Sequence, residues 1–167
     1  MGIREDMPLL ARHEGVWDGT YTYFNAANEK VDEHRSRLFC RFPDEGPYQY
    51  NQSNYYTWVD GKTDFREFPA DYHDKRVWWD TDLIVGWAAE VGLDEYKRTI
   101  MLYWQRQGDP SLYLYEMIQL ADSGVPLGLR DSRGHVGQEL LRILGVLRAR
   151  GQVDRVGRRF LGPGDAG

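Results

Sequence analysis

Gly15-Val16-Trp17-Asp18-Gly19-Thr20-Tyr21-Thr22-Tyr23-Phe24 is the run whose reading decides the class of this chain. Its period is two and it is rich in aromatic and β-branched residues, the pattern of a pleated strand with one packed face. The cluster Asn25-Ala26-Ala27-Asn28 ends it as a turn. Just before it, Pro8 followed by Leu9, Leu10 and Ala11 predicts one or two helical turns over residues 5–14, which would serve as a lid or plug.

Seven further runs of the same kind follow. Residues 34–42 alternate Arg35, Arg37, Phe39 and Arg41 against His34, Ser36, Leu38, Cys40 and Phe42, and stop at Pro43-Asp-Glu-Gly-Pro47. Residues 48–59 place Tyr48, Tyr50, Gln52, Asn54, Tyr56 and Trp58 on one face and Gln49, Asn51, Ser53, Tyr55, Thr57 and Val59 on the other. Neither face is greasy, so a plain hydrophobic core does not explain this strand. Asp60-Gly61 then predicts a hairpin turn. Strands are expected at 63–68, 76–80, 83–91, 98–105 and 112–120 as well. About eight short strands with no interleaved helix predict a mainly β fold, an antiparallel up-and-down β-barrel. Closure removes edges that aromatic strands would otherwise expose to aggregation.

Composition then changes abruptly. Of 23 aromatic residues, 22 lie between Trp17 and Tyr115 and only Phe160 follows. Residues 1–120 are read as the barrel domain and 121–167 as a Gly/Arg/Leu-rich tail. Val136, Leu140, Ile143, Leu144 and Leu147 fall at helical spacing, which predicts an amphipathic helix over 136–149, weakened by Gly145. Beyond Gly151 the expectation is disorder. The tail is either a cap behind an eight-strand barrel or sequence foreign to the fold.

The body carries 21 acidic against 13 basic side chains and the tail five against eight. An acidic body repels phosphates and the tail is too diffuse to be a basic arm, so nucleic acid is set aside. Cys40 is the single cysteine, which excludes an internal disulfide and fits a reducing compartment. There is no signal-like apolar segment and no run of 18 apolar residues, so the expected setting is cytoplasmic, away from membranes.

Gly15-Val-Trp17-Asp-Gly19-Thr-Tyr21 behind a short helix resembles the Gly-x-Trp signature of the calycin superfamily, which includes lipocalins and fatty-acid-binding proteins. With Arg35-Ser-Arg37 and Tyr113-Leu-Tyr-Glu-Met117, it is similar to bacterial lipocalin-like domains of unknown function. The resemblance covers residues 9–120. It implies a small apolar or aromatic molecule inside the barrel, with isomerases, cyclases and chromophore lyases among the relatives, and a structural place for Trp17 at the closed end. Fatty-acid-binding relatives continue with two more aromatic strands, from which the composition after Leu120 departs.

A barrel of this size leaves room for one small ligand, and amides and hydroxyls inside it would orient what the rings hold. The expected ligand contacts are Tyr50, Asn54, Tyr56, Trp87 and Tyr103, with Arg37 or Arg66 answering a carboxylate. Glu116, flanked on its face by Leu114 and Ile118, is expected to turn inward and to pair with an arginine. If the barrel is an enzyme, a cyclase or isomerase without cofactor, Glu116 and Tyr103 would supply acid-base catalysis. The four histidines are scattered, so neither a metal site nor a cofactor is expected; a haem would need an axial ligand, for which His73 is the candidate. A third reading makes the tail helix a homodimer contact.

Overall fold

The computed structural model describes residues 2–24, 29–93, 95–121, 139–148 and 152–161. Among the described residues two single-turn helices, α1 (Ile3–Asp6) and α2 (Pro8–Ala11), precede ten strands: β1 (Gly15–Phe24), β2 (Lys30–Arg41), β3 (Tyr50–Trp58), β4 (Thr63–His73), β5 (Arg76–Asp80), β6 (Ile84–Val91), β7 (Thr99–Arg106), β8 (Asp109–Ala121), β9 (Glu139–Arg148) and β10 (Gln152–Leu161). From β1 to β8 each strand pairs antiparallel with the next in a curled meander, as the alternating runs predict. Asp60-Gly61 makes the expected turn, with Gly61 at φ 85°. β4 continues through Pro69, where no strand was expected. Its missing N–H is tolerated there because β5 covers β4 only from Asp71 to His73.

The tail corrects the expectation of a helix over 136–149. Residues 139–148 run as β9 beside β8, and β10 returns to pair with β1, so the sheet closes. A stretch expected to be disordered, 152–161, is therefore a strand; 122–138 and 162–167 lie outside the described residues. The physical reason is edge pairing. An eight-strand meander that does not close leaves the ladders of β1 and β8 open, and covering both satisfies many backbone groups at once. Helical spacing in a short apolar run such as Leu140-Leu-Arg-Ile-Leu-Gly-Val-Leu147 is weak, because such a run also suits a strand and Gly145 opposes a helix.

One end of the barrel is packed shut. Trp17 and Leu38 are fully buried there with Cys40, Tyr50, Ala70, Ile100 and Leu120, and Ile3, Met7, Leu9 and Leu10 of the helices cover them. The helices are also tied down by polar bonds. Trp17 Nε1 donates to His13 O at 2.7 Å, Tyr72 Oη to Asp6 Oδ2 at 2.6 Å, and Leu10 N to Glu90 Oε1 at 2.9 Å. The predicted plug is thus part of the floor. Among the described residues no helix is long and apolar enough to cross a membrane.

Candidate functional site

Above this floor the barrel holds a cavity of about 280 Å³. Its two walls differ in chemistry. β4 to β8 and their turns contribute Phe68, Trp79, Ile84, Leu102, Trp104 and Leu114, whereas β1 to β3 contribute Tyr23, His34, Gln52, Asn54, Tyr56 and Trp58. Asp32, Arg66, Arg106 and Glu116 add charge. A planar molecule with one polar edge matches such a space, rings against one wall and edge against the other.

The polar face of β3 explains itself once it is turned inward. Residues i and i+2 share a face, and here they are joined in series. Tyr50 Oη donates to Gln52 Oε1 at 3.2 Å, Gln52 Nε2 to Asn54 Oδ1 at 2.9 Å, and Asn54 Nδ2 to Tyr56 Oη at 2.8 Å. Buried amides cost little when they satisfy one another, and a fixed ladder presents its remaining N–H and O–H groups in set directions.

Of the residues expected to form the site, Asn54, Tyr56, Arg66 and Glu116 border the cavity. Tyr50 is buried outside the cavity lining, in edge-to-face contact with Trp79 and Phe42. Glu116 is 3 % exposed, between Leu114 and Ile118 on its own strand and opposite Leu102 of β7. Arg66 is paired on its own strand: its Nη2 lies 2.8 Å from Asp64 Oδ2, with its guanidinium 5.6 Å from the Tyr56 ring centre.

Three expectations are corrected. Arg37 lies on the outer surface, clamped on Asp18 through two bonds of 2.7 and 2.8 Å. Trp87 and Tyr103 are also on the outside, paired with each other in register. Tyr103 stacks at 4.8 Å on Tyr115, and Arg76 covers the Trp87 ring at 4.8 Å. Strand parity is the cause: Ile84, Gly86 and Ala88 face inward on β6, so Trp87 cannot, and its β7 partner shares its side. These outer rings stabilise the sheet as cross-strand pairs. The proposed pairing of Tyr103 with Glu116 falls with this, since the two side chains lie on opposite faces.

Sequence reasoning passed over His34, Asp32, Tyr23, Trp79 and Trp104 as site residues. The signal for His34 was present: alternation set it on one face with Ser36, Leu38 and Cys40, all of which are buried. The His34 ring is 5 % exposed, stacked on Tyr21 at 4.9 Å and 14°, and 4.6 Å from Trp58. Burial lowers its pKa, and the field of Asp32 only partly restores it. Tyr23 moves the other way: burial, then Tyr56, Asp32 and Glu116, push its phenol far up, so it remains a neutral donor.

The lowered His34 pKa has a measurable sign. Above about pH 6.5 the ring is neutral both folded and unfolded; below that, the unfolded chain takes up a proton that the folded one refuses. His34 therefore makes stability fall as pH drops below about 6.5. Urea denaturation at about pH 7.5 and about pH 5.5 should show a smaller drop in His34→Gln than in the wild type. An identical drop in both would place the pH sensitivity elsewhere.

Among the described residues no cluster of three or more His, Cys, Asp or Glu is placed to hold a metal ion. No family model matches the chain, and no curated protein matches it. Solved structures do. An S-type phycobiliprotein lyase from Guillardia theta superposes with a TM-score of 0.62 at 12 % identity, over 97 % of this chain and 93 % of the lyase. A protein of unknown function from the DUF3598 family of Nostoc punctiforme aligns at 13 % identity with a TM-score of 0.49, over 97 % of this chain and 49 % of its own. At such identity the likeness to the lyase establishes a common fold, a curled antiparallel barrel.

Proposed function

We propose that the chain is a calycin-type binding protein, related to bacterial lipocalin-like domains, whose barrel takes a small hydrophobic or aromatic metabolite. The cavity carries this reading. An apolar cavity of roughly 150 Å³ accepts benzene, so about 280 Å³ suits one or two fused rings. Asn54, Tyr56 and Arg66 would meet the polar edge, while Trp79, Leu102 and Trp104 take the rings. The fold shared with a phycobiliprotein lyase supports a wider class, conjugated ligands of tetrapyrrole type, of which a cavity this size would take one or two rings. A reading as a cofactor-free cyclase or isomerase is favoured by one observation, the buried Glu116 in the lining.

Titration with bicyclic aromatics tests the proposal, because Trp58, Trp79 and Trp104 border the cavity and report occupancy by quenching. Saturable quenching is expected, with affinity reduced at least about tenfold by Leu114→Trp, which fills the space, a loss of about 1.4 kcal/mol. No saturable quenching, or quenching indifferent to Leu114→Trp, removes the proposal. Native mass spectrometry of freshly purified protein would show any ligand that it retains.

A further inference from the structure

Asp32, Arg66, Arg106 and Glu116 are the charged side chains described on the cavity lining. Arg66 is answered by Asp64 at 2.8 Å, and Asp32 by Trp58 Nε1, which donates to both of its oxygens at 3.2 and 3.3 Å. Glu116 stands opposite Leu102 on the β7–β8 ladder, four residues from Arg106 and roughly 13 Å along the strand. Arg106 is half-buried, and among the described residues no hydrogen bond, ion pair or ring contact engages its guanidinium. Asp109, its neighbour across the ladder, is exposed and forms no ion pair with it. A guanidinium withdrawn from part of its water and given no anion costs free energy unless a ligand supplies one. The backbone that carries it is fixed. Leu102, Trp104 and Arg106 share the inward face of β7, in order from floor to mouth. Just beyond, Gln107 N donates to Leu83 O at 3.0 Å and Gln107 Nε2 to Asp80 Oδ1 at 3.2 Å, which ties the turn after β7 to the turn before β6.

We infer that Arg106 is the recognition residue for a carboxylate on the ligand, so that the cavity takes an aromatic acid of one or two rings, rings inward and carboxylate at the mouth. The inference rests on the binding reading above and adds the ligand's charge and orientation. A guanidinium presents a planar fork of donors that matches both oxygens of a carboxylate. Leu102 and Trp104, below Arg106 on the same face, take the rings. Leu83, Ile84 and Leu112 border the cavity at the Arg106 end of their strands, and apolar neighbours that exclude water strengthen such a pair. The remaining charges narrow the class. Asp32 and Glu116 border the same space and oppose a dianion such as a phosphate monoester, whereas a cation would leave Arg106 unanswered. One negative charge at the Arg106 end satisfies both conditions. Arg66, neutralised by Asp64, adds hydrogen bonds rather than net charge.

The test titrates the full chain by calorimetry with 2-naphthoate and 2-naphthamide, which share the fused rings and differ in charge. At about pH 7.5 the acid is ionised and the amide neutral. The wild type should bind 2-naphthoate at least about tenfold more tightly than 2-naphthamide. Arg106→Gln should bring that ratio to about one, and Arg106→Lys, which keeps the charge and loses the planar fork, to about threefold. The lysine variant decides the matter if the glutamine variant does not fold. Equal binding of the two probes by the wild type, or tighter binding of the amide, overturns the carboxylate site and leaves the binding reading standing. A ratio unaltered in either variant overturns it as well, because another group then reads the charge. Binding of neither probe overturns both readings.

Discussion

Replacing Trp17 with alanine is expected to destabilise the protein by about 3–5 kcal/mol, the range for deleting a large buried aromatic. Trp17 is 0 % exposed and heads the fully buried side chains. Its removal opens a void in the floor of the barrel. It also strips the carbonyl of His13 of the donor 2.7 Å away, and with it one tie between β1 and the segment that follows the helical plug. Urea denaturation should show a lowered midpoint at unchanged slope. Trp17→Phe separates the two contributions: most of the packing returns and a deficit of about 1 kcal/mol remains for the lost hydrogen bond. A cost below about 1 kcal/mol for Trp17→Ala would mean that the floor does not depend on this residue.

Gly86→Ala is expected to be comparably damaging although it adds one methyl group. A Cβ at this position would stand 2.1 Å from the carbonyl oxygen of Tyr103 and 2.6 Å from both Cα and Cβ of Trp104. Two of these three atoms are backbone, so no side-chain rotation relieves the clash, and β6 and β7 must move apart. The cost should reach or pass the upper end of the roughly 1–3 kcal/mol seen for overpacked cores. Gly86 lies in register between Trp79 and Trp104, both on the cavity lining, so the apolar wall should be distorted as well. The expected signature is a lowered thermal midpoint, a changed near-ultraviolet dichroism and weakened quenching by bicyclic aromatics. A variant as stable as the wild type, with an unaltered dichroism spectrum, would contradict this close approach of the two strands.

The strands were legible because their signal is local. A period of two with turn residues between the runs survives in any tertiary setting, and it located the meander from β1 to β8. The inward turn of one β3 face was legible for a subtler reason: a strand with two polar faces cannot be a simple core strand, so one face had to meet something polar. Asn54 and Tyr56 border the cavity accordingly. Trp87 and Tyr103 misled because large aromatic residues suggest an interior, while alternation says only that neighbours oppose each other, not which face is inside. Gly86 and Ala88 carried the contrary hint: small residues on one face of a strand mark where a neighbouring element comes close. His34 was legible by parity alone.

Local pattern thus determined the fold class, the N-terminal plug, the inward turn of Glu116 and the polar face of β3, since each depends on residues close in sequence, while the place of Trp17 was implied by the resemblance of its Gly-x-Trp run to calycins. Tertiary structure decided the rest. Whether 139–148 coils or extends depends on the open edges of β8 and β1, groups that no window of sequence contains together. Which aromatic rings enter the barrel depends on how β6 and β7 register across their hairpin. The contact of His34 with Trp58 needs β2 laid against β3, and a cavity exists only where strands far apart in sequence face one another. Pleating is a property of the chain; an inside belongs to the closed sheet.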